Sequence, residues 1–165
     1  MTRADEEEFT EYARAAAARL RRTAFLLCHD WHLAQDFTQT ALARLFVHWG
    51  HIQRRESPDA YARKVLLRVF LDHQRRASSR EVVVERPADR PAPGGQPELR
   101  VTLLEALRRI PPRDRAILVL RYWEDQSIEA VADLLGVSEA TVKTQSARGL
   151  ARLRALLGAE QLIGF

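Results

Sequence analysis

Cysteine is almost missing from this chain. Cys28 is the only one among 165 residues, so no internal disulfide can form, and a reducing compartment, the cytoplasm, is the expected setting. Long apolar runs are missing too. No stretch approaches the roughly 20 apolar residues of a membrane-spanning helix, so no membrane insertion is expected. The N-terminal MTRADEEEF is acidic and lacks the apolar segment of a secretory leader. Equally absent are a glycine-rich phosphate loop, a nucleophile elbow and a zinc-protease helix. The chain therefore reads as a non-enzyme, with no catalytic residue and no cofactor. Histidine is sparse. Cys28, His29 and His32, and His48 with His51, have spacings that could share a helix face. A closed metal site takes about four ligands, which only distant pairings would supply, so no metal site is expected.

What is present is an ordinary core-forming composition, 46% hydrophobic and 29% charged, with a net charge of +4 and a pI near 9.8. Residues 1–80 carry 14 Lys+Arg against 10 Asp+Glu, residues 81–98 carry 2 against 4, and residues 99–165 carry 10 against 8. Two basic blocks flank an acidic connector. This balance admits a polyanionic partner such as nucleic acid, and it equally fits a plain basic surface.

Proline and glycine mark the boundary. ERPADRPAPGGQPE, residues 85–98, holds four prolines and two glycines, which bar helix and loosen the backbone. The expectation is an all-α chain of two small helical domains, 1–76 and 98–158, joined by a flexible Pro/Gly-rich linker over 77–97 and followed by a short tail, 159–165. EVVVE could pair as a brief strand, but no second strand is evident. With eight residues after Leu157, no further C-terminal domain is expected.

In the first domain, a helix is expected up to about His29 and a second over His32–Trp49, burying Leu33, Phe37, Thr40, Ala41, Leu45 and Val47. GHIQRRESP reads as a loop. Ser57 and Pro58 then open a third helix as cap and first residue. At about 100° per residue, Ala62, Val65, Leu66, Val69, Phe70 and His73 share one face, while Lys64, Arg68 and Arg75 share another. Such a cationic row serves a nucleic-acid backbone, and a solvated face on a packed helix would look the same.

In the second domain, PELRVTLLEALRRI is an amphipathic helix, and PPRDRAILVLRYWE restarts one. Leu104, Leu107, Ile110, Ile117, Leu118 and Leu120 are core candidates. Ser127 caps a short helix, Ile128–Leu135. Ala132 allows a close helix crossing, Gly136 supplies a positive φ, Val137 tucks inward and Ser138 caps the next helix. Val131, Leu135, Val142, Leu150 and Leu153 form its buried side. That pattern is a helix-turn-helix. The second helix otherwise presents Glu139, Thr141, Lys143, Thr144, Gln145, Ser146 and Arg148, groups suited to hydrogen-bonding base edges in a major groove. Ala140, Ala147 and Gly149 would let its backbone come close to DNA.

These stretches resemble the extracytoplasmic-function sigma factors of bacterial RNA polymerase, within the sigma-70 family. ALRRIPPRDRAILVLRYWEDQSIEAVADLLGVSEATVKTQSARGLARLRALL is similar to their region 4. DWHLAQDFTQTALARLFVHW and PDAYARKVLLRVFLDHQRR are similar to region 2. The chain has Asp36-Phe37-Thr38-Gln39-Thr40 where the family commonly has Asp-Leu-Val-Gln-Glu. It has Leu67-Arg68-Val69-Phe70-Leu71-Asp72 where an Arg-Asn pair often precedes Leu-Ala-Ile-Asp.

The resemblance implies a protein without catalysis of its own that joins core RNA polymerase, places it on promoter DNA and opens the duplex. Asp36 and Gln39 would contact the polymerase. His51, Gln53, Arg54 and Arg55 would hold a flipped base of the −10 element. Tyr61, Lys64, Arg68 and Arg75 would grip the exposed strand. Lys143, Thr144, Gln145 and Arg148 would read the −35 element, with Arg115, Arg121, Thr141 and Arg152 near its phosphates. An acidic linker suits the enzyme's RNA exit path, and a solvated tether fits it as well. Many relatives are held by an anti-sigma factor. Two other classes fit the residues alone: a dimeric operator-binding regulator, and a protein-interaction module that never touches DNA.

Overall fold

The computed structural model describes residues 1–79 and 97–158, except the side chains of 53–55 and 97–102. The described residues are helical and contain no strand, and the chain divides into two compact units, Met1–Val82 and Val83–Phe165. Most of the expected linker (80–96), the EVVVE stretch and the tail 159–165 lie outside the described residues. Of the linker's expected start, 77–79 are helical.

The first unit packs three helices pairwise: α1 (Arg3–Cys28), α2 (Trp31–Arg55) and α3 (Pro58–Ser79). A reciprocal cap starts α1: Thr2 Oγ1 accepts from the Asp5 N–H at 3.1 Å, and Asp5 Oδ2 accepts from the Thr2 N–H at 2.9 Å. His29 closes α1 with φ 57°, donating to the Phe25 carbonyl. Asp30 at once caps α2, its carboxylate accepting from the N–H groups of His32 and Leu33. Two residues thus turn the chain into a helical hairpin.

On α2 the buried apolar positions are Ala34, Phe37, Ala41, Leu45, Trp49 and Ile52, steps of three and four. That stripe corrects two expectations. The GHIQRRESP stretch is not a loop, because α2 runs on to Arg55. Trp49 (3% exposed) and Ile52 (2%) extend the buried face beyond Gly50, and their burial outweighs the roughly 1 kcal/mol that a helical glycine costs. Val47 is not core. It lies on the side away from the stripe and is 72% exposed. The real break is Glu56–Ser57, where the residue before a proline favours extended backbone. Ser57 Oγ then accepts from the Ala60 N–H at 3.1 Å. On α3, Ala62, Val65, Leu66, Leu67 and Phe70 are buried, with His73 edge-on to Phe37.

The second unit begins with α4 (Pro97–Arg108). The Arg109 and Ile110 N–H groups bond three residues back, ending the helix tightly. Pro111 and Pro112 open α5 (Pro112–Leu118), which runs into a π-helical turn, Val119–Trp123. The sequence reads as one uninterrupted helix there. Bonds from the N–H of Glu124 to the Val119 carbonyl, and of Gln126 to the Leu120 carbonyl, widen the turn instead. Then come α6 (Ile128–Leu135) and α7 (Glu139–Leu157). Ser127 Oγ caps α6 at the Ala130 N–H, and Ser138 Oγ caps α7 at the Thr141 N–H. Between them Gly136 takes φ 66°, and the Val137 N–H reaches the Ala132 carbonyl at 3.1 Å. Val131 and Val142 are fully buried across the turn.

Candidate nucleic-acid interface

The buried side of α7 is Val142, Ser146, Gly149, Leu153 and Leu157. With this side turned inward, Lys143, Thr144, Ala147, Arg148 and Arg152 are exposed on the other. Thr141 and Gln145 sit at the rim, half-buried. The Thr141 hydroxyl lies 2.8 Å from Ser138 Oγ and belongs to the cap. Gln145 Oε1 is shielded from solvent and has no hydrogen-bond partner among the described residues.

Three arginine and glycine placements differ from the sequence reading. Gly149 does not face DNA. It lies against Leu118, where a Cβ would meet three side-chain atoms at 3.2–3.3 Å. Arg115 is buried and donates to the carbonyls of Leu107 (3.0 Å), Arg108 (3.3 Å) and Ile110 (3.1 Å). It satisfies two C-terminal carbonyls of α4 and one just past the helix end, so it is not available to a phosphate. Arg121 Nη1 donates to the Gln126 carbonyl at 2.7 Å, bracing the chain after the π turn. Arg148 is exposed but engaged. Its Nε and Nη2 donate to the two carboxylate oxygens of Asp114 on α5, at 3.1 and 2.9 Å.

In the first unit, Tyr61, Lys64, Arg68 and Arg75 share one side of α3. Arg68 and Arg75 are exposed, while Tyr61 and Lys64 are half-buried. Arg75 is paired with Asp72 at 2.6 Å, and Lys64 lies 3.9 Å from Glu56. His51 is exposed on α2 rather than on a loop. Gln53, Arg54 and Arg55 form the last turn of α2, and their side chains lie outside the described residues. His48, which sequence reasoning passed over as a DNA candidate, has its ring 6.3 Å from that of Tyr61. The end of α2 and the start of α3 thus bring His48, Tyr61 and Lys64 to one corner.

Asp59 fixes that corner. It accepts from the Tyr12 hydroxyl at 2.6 Å and from Arg19 Nη2 at 2.7 Å, tying the first turn of α3 to α1. Burial alone would raise its carboxyl pKa. The hydrogen bonds from Tyr12 and Arg19, with the charges of Arg19 and Arg63, outweigh burial and hold it below the usual carboxylate value. Burial, then the bond to Asp59, pushes the Tyr12 hydroxyl well above its ordinary value.

Asp36 and Gln39 are exposed on α2. The helix carries the same side onward to Phe46 (42% exposed) and Val47. This apolar continuation was hidden in the sequence because Val47 read as core. The two departures from the family pattern resolve simply. Phe70 is a fully buried core residue, and the Thr40 hydroxyl donates to the Asp36 carbonyl. Among the described residues, no three His, Cys, Asp or Glu side chains gather where they could hold a metal, and no helix is long and apolar enough to cross a membrane.

One unit with a helix-turn-helix and a polar outer helix, and one three-helix unit with a cationic row, define a class of two-part helical DNA-binding chains. Residues 12–80 match the family model for sigma-70 region 2, and residues 100–153 match that for sigma-70 region 4. The RNA polymerase sigma-E factor of Streptomyces coelicolor is 38% identical over 157 residues, covering 94% of this chain and 89% of the relative. The ECF RNA polymerase sigma factor SigM of Mycobacterium tuberculosis is 31% identical over 158 residues, covering 93% and 79%. A solved sigma factor, RpoE of Bartonella quintana in complex with the anti-sigma factor NepR, shares the fold with a TM-score of 0.78 at 23% identity, over 92% of this chain and 97% of that one. The chain belongs to the extracytoplasmic-function sigma factors of the sigma-70 family.

Proposed function

We propose that this chain is a dissociable promoter-recognition subunit of RNA polymerase: it binds the core enzyme, directs it to particular promoters and helps open the duplex, and it catalyses nothing itself. The observation that carries this reading is the helix-turn-helix of the second unit. Its caps, positive-φ glycine and buried valines leave one side of α7 polar and outward, and a helix of that kind fits a major groove. Lys143, Thr144 and Arg148 are the central −35 readers, with Thr141, Gln145 and Arg152 at the edges. Tyr61, Lys64, Arg68 and Arg75 on α3, with His51, Gln53, Arg54 and Arg55 at the end of α2, handle the −10 strand by stacking and phosphate contact.

Core polymerase docks on the outer side of α2. There Asp36 and Gln39 supply polar contacts and Phe46 and Val47 an apolar centre, the composition of a protein interface rather than of a nucleic-acid groove. An anti-sigma factor is a further partner of the same chain. The work is done beside the chromosome, in the cytoplasm.

Run-off transcription with purified core polymerase on genomic fragments tests the proposal. Discrete transcripts should appear only when the chain is added. If no fragment initiates above core enzyme alone, the reading is overturned.

A further inference from the structure

The Asp114–Arg148 pair joins residues 34 apart in sequence and crosses from α5 to the helix assigned above to DNA. The two partners are unlike in burial. The Asp114 side chain is 5% exposed and that of Arg148 is 60% exposed. The carboxylate is therefore part of the unit's interior, and the guanidinium reaches in from the surface to meet it. The platform beneath is rigid. Asp114 stands in the first turn of α5, after two prolines. The next residue, Arg115, locks the end of α4 through three carbonyls. Gly149, next to Arg148, packs on Leu118 of α5.

A guanidinium has five N–H donors in a fixed plane. Asp114 takes one edge, Nε and Nη2, in a fork geometry that fixes the plane as well as the position. What remains is the edge formed by Nη1 and the second N–H of Nη2, directed away from the carboxylate and toward solvent. Two parallel donors of that spacing match two acceptors on one base edge, such as O6 and N7 of guanine. The buried negative charge at 2.9 Å also cancels most of the attraction this arginine would exert on phosphates. Lys143, exposed on the same helix, has no carboxylate partner of this kind among the described residues.

We propose that Asp114 is a specificity-setting residue: it neutralises and aims Arg148, so that Arg148 reads a guanine edge in the duplex instead of serving as a general counter-charge for phosphate. This rests on the promoter-binding function proposed above. Asp114 touches no DNA itself and acts through the arginine as a positioning residue.

The test uses the full chain bound to core polymerase and a library of duplex promoter fragments randomised through the upstream element. Binding is also measured across a salt series. The unaltered holoenzyme should enrich an element with a preferred guanine. Asp114→Asn should weaken that preference about tenfold, a loss of one bidentate base contact. It should also steepen the salt dependence by about one counterion, because Arg148 gains an unneutralised charge. The double variant Asp114→Leu/Arg148→Met replaces both partners by apolar side chains of similar size, leaving no buried polar group unpaired, and it decides the matter if the single variant does not fold. It should lose the guanine preference while keeping the wild-type salt slope. Asp114→Asn enriching the same element with the same slope would overturn the inference alone. So would a double variant whose slope falls by about one, since Arg148 would then be an ordinary phosphate contact. An unaltered holoenzyme that enriches nothing would overturn the promoter-binding function, and the inference with it.

Discussion

Replacing Gly149 by alanine sets two effects of similar size against each other, and the structure decides between them. Gly149 lies inside α7, where alanine is favoured over glycine by about 1 kcal/mol. The added Cβ, however, would stand 3.2, 3.2 and 3.3 Å from Cδ1, Cγ and Cδ2 of Leu118. One of these is the branch carbon and not a flexible end. Leu118 is only 4% exposed, so it cannot swing into solvent, and overpacking of this kind costs about 1–3 kcal/mol. The clash should win, leaving Gly149→Ala destabilised by about 1 kcal/mol. In a Leu118→Ala background the clash is gone, and the same change should stabilise by about 1 kcal/mol, a coupling of about 2 kcal/mol between the two sites. Urea unfolding of the four proteins measures this directly. Equal effects of Gly149→Ala in both backgrounds would show that α5 does not seat α7 through this contact.

Other outcomes follow from the same geometry. Arg152→Ala should weaken holoenzyme binding nearly uniformly across sequences and lower the salt slope by about one; an unchanged slope would remove Arg152 from the phosphate contacts. Arg115→Met strips three carbonyls of their donor and should cost about 3 kcal/mol in urea unfolding without altering the salt slope. A drop in slope in a folded Arg115→Met protein would restore it as a DNA contact. Because the Asp59 carboxyl is held below its ordinary value, its stabilisation is complete above about pH 4 and is lost as pH falls through the lowered value. Asp59→Asn should flatten the acid limb of unfolding followed by circular dichroism, and an acid limb as steep as that of the unaltered chain would refute this. Tyr12 runs the other way: its hydroxyl is raised, so its contribution is present below about pH 10 and is lost as pH climbs above that. Tyr12→Phe should remove that alkaline loss.

The helix-turn-helix was legible in the sequence because every local signal agreed. Ser127 and Ser138 cap, Gly136 supplies the positive φ, and Val131 and Val142 meet across the turn. The same held for α3, whose core and cationic sides separate at the helical period. The end of α2 was not legible. Gly50 and the polar run after it look like a loop, and only the packing of Trp49 and Ile52 keeps the helix going. The π turn at Val119–Trp123 leaves no mark in composition. Asp114 and Arg115 were the hardest to read. Two adjacent charged residues are both buried because their partners, Arg148 and the last carbonyls of α4, come from other elements. For the same reason Arg115 looked like a phosphate contact, and Gly149 like a gap for DNA.

Promoter opening gives the most direct measurement. Permanganate reactivity of thymines around a start site, mapped on a fragment that supports run-off, should rise only when this chain and core polymerase are both present, and should stay at background with either alone. Strand opening by the chain without polymerase, or unchanged reactivity when the chain joins the core enzyme, would contradict the account.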